Sequence, residues 1–323
     1  MFYTDSGKRE NGMEGKQVGE TQQGFGVLAA VCAYLLWGFL PLYWKLLGGV
    51  PASDILAHRI VWSLVFMLAV ILVTGMFKGV WREIKNTFSS KKTALAITAA
   101  SILISVNWFI FIFAVNSDRV IEASLGYYIN PLINVTLAAV LLKEKLSKAE
   151  TAAFGLAAAG VVMLTVYYGY VPWAALGLAL SFGFYGLIKK ITPVGAWAGL
   201  TIETMLMTPF ALLFLVIWKD NSGGFSSYAG SDILLLMGAG AATAVPLLLF
   251  AAGAKRITFS LMGFLQYGAP TIMLLLGVFL FEEPFSHQQL ISFLIVWAGL
   301  ILFTWSRAGT ARRNRKPSVK KAK

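Results

Sequence analysis

A series of long apolar segments separated by short polar loops constrains this chain more than any other feature. Ten such segments can be delimited, at residues 25–44, 55–75, 93–116, 120–142, 151–168, 173–188, 196–218, 233–252, 257–281 and 289–306. Most are near the ~20 residues that a helix needs to cross about 30 Å of hydrocarbon. Hydrophobic residues make up 58% of the chain and charged residues 13%, against about 45–50% and 25% in soluble domains. The sequence predicts an all-α membrane protein with ten transmembrane helices.

The distribution of Lys and Arg predicts how these helices are oriented, because positive charge in short loops favours the cytoplasmic side. With the N-terminus inside, the inner segments hold 23 of the 27 basic residues, and the outer loops hold Lys45, Arg119 and Lys219. Both termini are therefore predicted to be cytoplasmic, with a disordered polar tail at 1–24 and a basic tail at 307–323. The fifth and sixth segments are separated only by "GYVP", but merging them into one re-entrant segment would break this charge pattern.

The sequence also repeats itself at an offset of 139 positions. The matched pairs are Tyr128 and Tyr267, Pro131 and Pro270, Glu144 and Glu283, Ser147 and Ser286, Phe154 and Phe293, Gly160 and Gly299, and Thr165 and Thr304. This register predicts a duplicated five-helix unit, with one repeat at 25–168 and the other at 173–306. Because five is odd, the second copy would enter the membrane from the opposite side. Such inverted repeats are typical of secondary transporters, whose substrate site lies near the midplane between the halves.

Two prolines mark the predicted centre of the molecule. Proline removes a helix hydrogen bond, and in a membrane the freed carbonyl needs a polar partner or a water-lined cavity. Matched helix breaks at Pro131 and Pro270 therefore predict a cavity between the halves. Prolines that only kink helices for packing would give the same pattern.

Three charged residues, Arg59, Glu122 and Glu203, lie inside predicted spans, where such side chains are costly. Arg59, near the outer boundary, could line a vestibule, either binding an anionic substrate group or pairing with an acid as a gate; the alternative is snorkelling to the headgroups. Candidate acids are Asp54, Asp118 and, foremost, Glu122. Glu203 matches Arg59 at an offset of about 144, but inversion puts it nearer the cytoplasmic face, so no direct ion pair is expected. It is a candidate for proton coupling, or a neutral glutamate bonded to a neighbouring helix.

Aromatic and amide side chains between these depths suit a planar or amphipathic small molecule, although some of the rings are expected in interfacial belts. The candidates for lining a substrate cavity are Trp37, Arg59, Asn107, Trp108, Tyr127, Tyr128, Asn130, Phe182, Tyr185, Gln266 and Tyr267.

The sequence offers little to support an enzyme. His58 and His287 are the two histidines, in different segments, so neither a histidine metal site nor a Ser-His-Asp set is predicted. No phosphate-binding loop and no nucleic-acid-binding motif is found, and no cofactor is expected. The predicted partners are a small molecule and the lipid bilayer, for a monomer or a homodimer. A membrane receptor or assembly scaffold is the alternative, since "GAWAG" at 195–199 is a GxxxG contact that could serve packing within or between chains.

Specific strings along the chain resemble a known family. They are "YLLWGFLPLYWK", "LAHRIVWSLVFM", "NWFIFIFAVN", "EASLGYYINPL", "TAVPLLLFAAGAKRI" and "QYGAPTIMLLLGVFLFEE". They resemble the RarD group of the EamA family, in the drug/metabolite transporter superfamily, from about Gly24 to Trp305. The resemblance implies two inverted EamA repeats, a location in the cell inner membrane, and a transporter. The implied activity is export of small amphipathic metabolites or drugs, chloramphenicol-related or amino-acid-like, by alternating access.

Overall fold

The computed structural model describes residues 6–116, 120–169, 173–217, 228–280, 282 and 286–315, and its regular structure there is helical. Twelve helices are found in those ranges: α1 Ser6–Lys45, α2 Ala52–Val73, α3 Phe77–Ser89, α4 Lys91–Asn116, α5 Val120–Val140, α6 Lys148–Tyr168, α7 Trp173–Ile191, α8 Ala196–Ile217, α9 Gly230–Arg256, α10 Phe259–Gln266, α11 Gly268–Phe279 and α12 His287–Arg315. Helices satisfy their backbone hydrogen bonds internally, which a chain in hydrocarbon must do.

Nine segments of the described chain are long and apolar enough to cross a membrane, and α10 and α11 together form one of them. α5 is also 21 residues long, but its side chains are described only from Gly126 onward. Large apolar residues point outward from the bundle: Val73 is 88% exposed and Trp305 75% exposed. An outward apolar surface of this extent is what a lipid-facing protein presents. The predicted all-helical membrane class is confirmed.

Three predicted loops or tails have more structure than expected. The backbone is helical from Ser6, where Glu, Gln, Lys and Met are good helix formers, and the disordered tail at 1–24 stays a prediction. The basic loop after the second span contains α3, which buries Val80 and Ile84 on one face. Lys189 and Lys190, expected in a loop, occupy the last turn of α7, where cations are favoured by the helix dipole.

The helices pack as a single bundle. α1 lies against α9 and α11, α2 against α8 and α9, and α4 against α7 and α8. α5 packs on α7 and α10, and α6 packs on α12. Buried side chains such as Tyr34, Tyr185 and Phe250 fill the largest core cluster.

Local backbone features recur 139 residues apart. Lys143 and Glu282 both have a left-handed backbone, with φ of 53° and 52°. Four residues after each of them comes a serine, Ser147 or Ser286, whose hydroxyl accepts a hydrogen bond from the backbone N–H of Glu150 or Gln289. The backbone N–H of the serine in turn donates to the side chain of that Glu or Gln. α6 and α12 therefore begin with the same reciprocal cap.

The contact between α6 and α12 is also reciprocal. A Cβ at Gly160 would lie 2.8 Å from the carbonyl oxygen of Ser292, and a Cβ at Gly299 would lie 2.8 Å from that of Ala153. Both glycines thus allow a close backbone approach that any larger residue would obstruct. The two contacts exchange when 139 is added to or subtracted from the residue numbers.

The ninth apolar segment is a broken helix, whereas the fourth is continuous. α10 ends at Gln266 and α11 begins at Gly268, with a turn at Tyr267. α5 runs through Pro131 without interruption, so the helix break predicted there is wrong. Pro270 lies in the first turn of α11, where the missing N–H costs no helix hydrogen bond. A proline inside a helix can instead be absorbed as a kink.

Candidate functional site

Arg59 is buried in the membrane-spanning part of α2. Its side chain is 9% exposed, and its Nε donates a hydrogen bond of 3.0 Å to Thr243 Oγ1 on α9. Its Cζ lies 4.8 Å from the ring centroid of Trp44 and 5.1 Å from that of Trp108. Contacts of this kind stabilise a cation by about 0.5–2 kcal/mol each. Arg59, Trp44, Trp108 and Thr243 are called the Arg59 site below.

The Arg59 site collects several helices but no acid among the described side chains. Trp44 comes from the end of α1 and Trp108 from α4, and Tyr127 of α5 lies within electrostatic range of the guanidinium. The ion pair between Lys189 and Glu203 lies at a different place, between α7 and α8. Asp54 accepts a hydrogen bond from Tyr228. The predicted partners Asp118 and Glu122 lie outside the described side chains.

Glu203 occupies the matching position on α8. Arg59 and Glu203 are each the eighth residue of their helices, which have equal length. Glu203 is 2% exposed, and its Oε1 accepts a 2.7 Å bond from Lys189 Nζ while its Oε2 accepts a 3.1 Å bond from Tyr185. The carboxylate thus contacts two donors of α7, Lys189 and Tyr185. Glu203, Lys189 and Tyr185 are called the Glu203 site.

Five aromatic rings form a cluster where α1, α7 and α9 meet. Tyr34, Trp37, Phe182, Tyr185 and Phe250 contact one another with ring-centroid distances between 5.2 and 6.3 Å. Trp37 and Phe182 stay partly exposed. The cluster therefore joins helices of both predicted halves and reaches the Glu203 site through Tyr185.

Two of the predicted amides hold helices together. Asn107 Nδ2 donates to Leu178 O and to Ser181 Oγ, both at 2.9 Å. Asn130 Nδ2 lies 3.4 Å from Ala179 O. These bonds fix α4 and α5 against α7, so in this conformation both amide N–H₂ groups are used for packing.

A polar cluster surrounds the break between α10 and α11. Tyr128 donates a 3.1 Å bond to Pro270 O, and Asn134 Nδ2 donates a 2.7 Å bond to Gln266 Oε1. The rings of Tyr128 and Tyr267 are 6.4 Å apart. The buried Tyr267 hydroxyl has no hydrogen-bond partner in the described part of the chain. These groups connect α5, which contains Pro131, directly to the broken helix formed by α10 and α11.

The structure thus divides the predicted cavity residues among separate clusters. One group contains Arg59, Trp108 and Tyr127, and a second contains Trp37, Phe182 and Tyr185. A third, at the break between α10 and α11, contains Tyr128, Gln266 and Tyr267. The amides of Asn107 and Asn130 hydrogen-bond to α7. Sequence reasoning missed Trp44, Thr243 and Lys189. Lys189 was assigned to a loop because of its neighbour Lys190, and no sequence pattern links Thr243 to Arg59.

Comparison with known proteins identifies the family whose sequences this chain resembles. The model of the EamA-like transporter family matches residues 24–166. "Uncharacterized transporter YojE" of Bacillus subtilis is 47% identical over 292 residues, which are 90% of this chain and 97% of that protein. "Protein RarD" of Escherichia coli K12 is 39% identical, over 90% of this chain and 97% of that protein.

More distant relatives agree. "Chloramphenicol-sensitive protein RarD" of Pseudomonas aeruginosa is 26% identical over 92% of this chain and 99% of that protein. A solved crystal structure, described only as that of a protein, is 24% identical with a TM-score of 0.65, covering 87% of this chain and 97% of the other. It supports the fold alone. The protein is a multi-pass membrane transporter and not an enzyme. By its sequence match along most of its length, the chain belongs to the EamA-like transporter family.

Proposed function

We propose that this chain is an inner-membrane secondary transporter, built from two inverted five-helix repeats, that exports small amphipathic compounds by alternating access. The observation that carries the proposal is a matched pair of halves with a buried charge at the same helix position in each, Arg59 and Glu203. Inverted repeats with a central site are the architecture on which alternating access operates.

The recurring packing pairs support two repeats. If α1, α2, α4, α5 and α6 correspond to α7, α8, α9, α10–α11 and α12, each major contact has a counterpart. The contact between α1 and α9 corresponds to the contact between α7 and α4. In the same way, α5–α7 corresponds to α11–α1, and α2–α9 corresponds to α8–α4. The contacts α2–α8, α5–α10 and α6–α12 are their own counterparts. With α5 as the tenth crossing, each repeat has five spans, and the second must enter from the opposite side.

Hydrogen bonds between helix ends support cytoplasmic termini. Arg256 at the end of α9 donates a 3.0 Å bond to Gln22, which precedes the apolar part of α1. Glu144, in the loop after α5, accepts a 2.8 Å bond from the N–H of Phe259 at the start of α10. Every one of these ends belongs on the inner side in the proposed topology.

Cysteine labelling tests the topology. Cys32 is the single cysteine, so Cys32→Ser gives a cysteine-free background. Lys45→Cys and Lys92→Cys, both at exposed positions, should react with a membrane-impermeant maleimide from opposite sides of the membrane. Labelling of both positions from one side would overturn the topology.

The two buried charges suit different roles in the transporter. We infer that Arg59 lies in an outward vestibule, because it is buried among protein groups from α1, α4 and α9 rather than extended toward headgroups. Glu203 lies toward the inner side and is held by Lys189. The aromatic cluster and the polar groups at the helix break lie on helices of both halves, where a substrate would have to pass.

Chloramphenicol-related and amino-acid-like compounds are the proposed substrates, and counterflow tests them. Proteoliposomes preloaded with unlabelled chloramphenicol or phenylalanine should accumulate the labelled compound, whereas protein-free liposomes should not. Failure with both would favour the receptor or scaffold alternative. The GxxxG motif at 195–199, which suggested that alternative, faces groups of this same chain. A Cβ at Gly199 would lie 2.6 Å from Lys189 Nζ, and one at Gly195 would lie 2.9 Å from the Glu83 carboxylate.

A further inference from the structure

We propose that the Arg59 site binds the carboxylate of an amphipathic monoanion, and that such carboxylates are the substrate class of this transporter. This inference rests on the proposed transport function and narrows it. Among the small amphipathic compounds proposed above, it singles out those that carry a carboxylate, because only an anionic group can neutralise the guanidinium.

The first argument is the charge balance of the site. A buried arginine inside a membrane span is costly unless a counter-charge offsets it. The described neighbours of Arg59 are a hydroxyl, from Thr243, and the faces of Trp44 and Trp108. All are neutral, and the carboxylate of Glu203 is occupied by Lys189. Among the described side chains nothing neutralises the guanidinium, and an anion from outside the chain would do so.

The second argument is the geometry of the donors. The Nε–H of Arg59 is directed to Thr243, which orients the guanidinium plane. Arginine carries five N–H donors in a rigid fork, and its terminal pair matches the two oxygens of a carboxylate. The described structure assigns no hydrogen bond to those terminal donors. A bidentate carboxylate would use them without disturbing the bond to Thr243.

The third argument concerns the charge and body of the ligand. One guanidinium offers one positive charge, so a monoanion gives a neutral complex, whereas a phosphate dianion would leave a net negative charge in low dielectric. Trp44 and Trp108 offer aromatic surface next to the charge, and Tyr127 lies within electrostatic range of it. Tyr127 itself contacts Phe111, with ring centroids 5.9 Å apart. An apolar or aromatic body attached to the carboxylate would pack there.

Two isosteric probes separate charge from shape. Purified protein is heated with 3-phenylpropanoate or with 3-phenylpropanamide at equal ionic strength, and the unfolding temperature is read from tryptophan fluorescence. At about 100-fold above its Kd, the acid should raise Tm by about 5 °C, and the amide should leave it unchanged. Arg59→Gln should abolish the shift. Arg59→Lys should keep part of it, because lysine retains the charge but not the fork.

A matched control uses a nearby exposed cation. Lys45 follows Trp44 directly and is exposed, so Lys45→Gln removes the same charge from a residue outside the four that form the Arg59 site and should keep the full shift. An equal shift with acid and amide, no shift with the acid, or a shift that survives in Arg59→Gln would each overturn the carboxylate assignment. Counterflow is measured in parallel with 3-phenylpropanoate, phenylalanine and chloramphenicol. Accumulation of any of them without an Arg59-dependent shift would overturn the carboxylate assignment and keep the transport proposal, whereas accumulation of none would overturn the transport proposal itself.

Discussion

Arg59 and Glu203 are buried charges at the eighth position of two helices of equal length, yet their surroundings are opposite in kind. Glu203 has a full ion pair and a second hydrogen bond. Arg59 has a hydroxyl and two ring faces. The first charge is neutralised inside the chain, and the second is held in place without a described counter-charge.

The difference indicates a division of roles between the two sites. A buried ion pair such as Lys189–Glu203 holds its two helices together, because separating the partners would leave an unpaired charge in the protein interior. A positioned but unneutralised cation keeps its affinity for a ligand, at some cost in stability. On this account the Glu203 site holds α7 against α8, and the Arg59 site recognises substrate.

The largest expected effect is on the Glu203 site. Glu203→Gln removes the carboxylate and leaves the Lys189 ammonium buried and unpaired, which should lower the free energy of unfolding by about 3–5 kcal/mol. The measurement is unfolding by SDS titration in mixed micelles. Glu282→Gln, at an exposed position, is the matched control and should cost little. Adding Lys189→Met to Glu203→Gln should restore most of the loss; a double variant as unstable as the single one would remove the ion pair from the account.

Arg59→Gln should have the opposite profile. Its free energy of unfolding should stay equal to that of the wild type or rise, because an unneutralised buried charge is removed. Its affinity for 3-phenylpropanoate should fall by about 30- to 150-fold, as expected for loss of about 2–3 kcal/mol in charge-assisted bonds. Unfolding in SDS and binding by calorimetry check the two parts. A large loss of stability would make Arg59 a structural residue like Glu203.

Trp108→Leu should act on the same ligand more weakly. It removes one cation–π contact and part of the aromatic wall, about 0.5–2 kcal/mol, so affinity for the carboxylate should fall by about 2- to 30-fold. Phe109→Leu, next along the helix and exposed, is the control and should bind as the wild type does. Equal losses in both variants would point to a general disturbance of α4.

The smallest effect separates two matched tyrosines. Tyr128→Phe removes the bond to Pro270 O and should cost about 1 kcal/mol of stability. Tyr267→Phe removes a buried hydroxyl that has no partner among the described groups, so it should be neutral or stabilising. Unfolding in SDS compares the two directly. Equal costs would mean that the halves are more symmetric than the conformation described here.

The sequence predicted the features that depend on the hydrophobicity of whole segments or on motifs read directly along the chain. Apolar segment length and family strings gave the helical membrane class and the transporter family. The clusters depended on tertiary contacts that no local pattern encodes. Thr243 lies 184 residues from Arg59 along the chain, and Lys189 reads as a loop cation until α7 is seen to continue through it.

Proline position was informative only in part. Pro131 and Pro270 match in sequence, but α5 continues through the first while a helix begins just before the second. A proline removes a donor in either place, and the surrounding packing decides whether the helix bends or stops. The sequence could locate the pair and could not say which member would carry the break.

Counterflow of labelled 3-phenylpropanoate in proteoliposomes tests the central claim most directly, because it requires both transport and recognition by Arg59. Wild type and Lys45→Gln should accumulate the labelled acid against preloaded unlabelled acid, and Arg59→Gln should not, although it folds and inserts. Accumulation by Arg59→Gln at the wild-type rate would contradict the account.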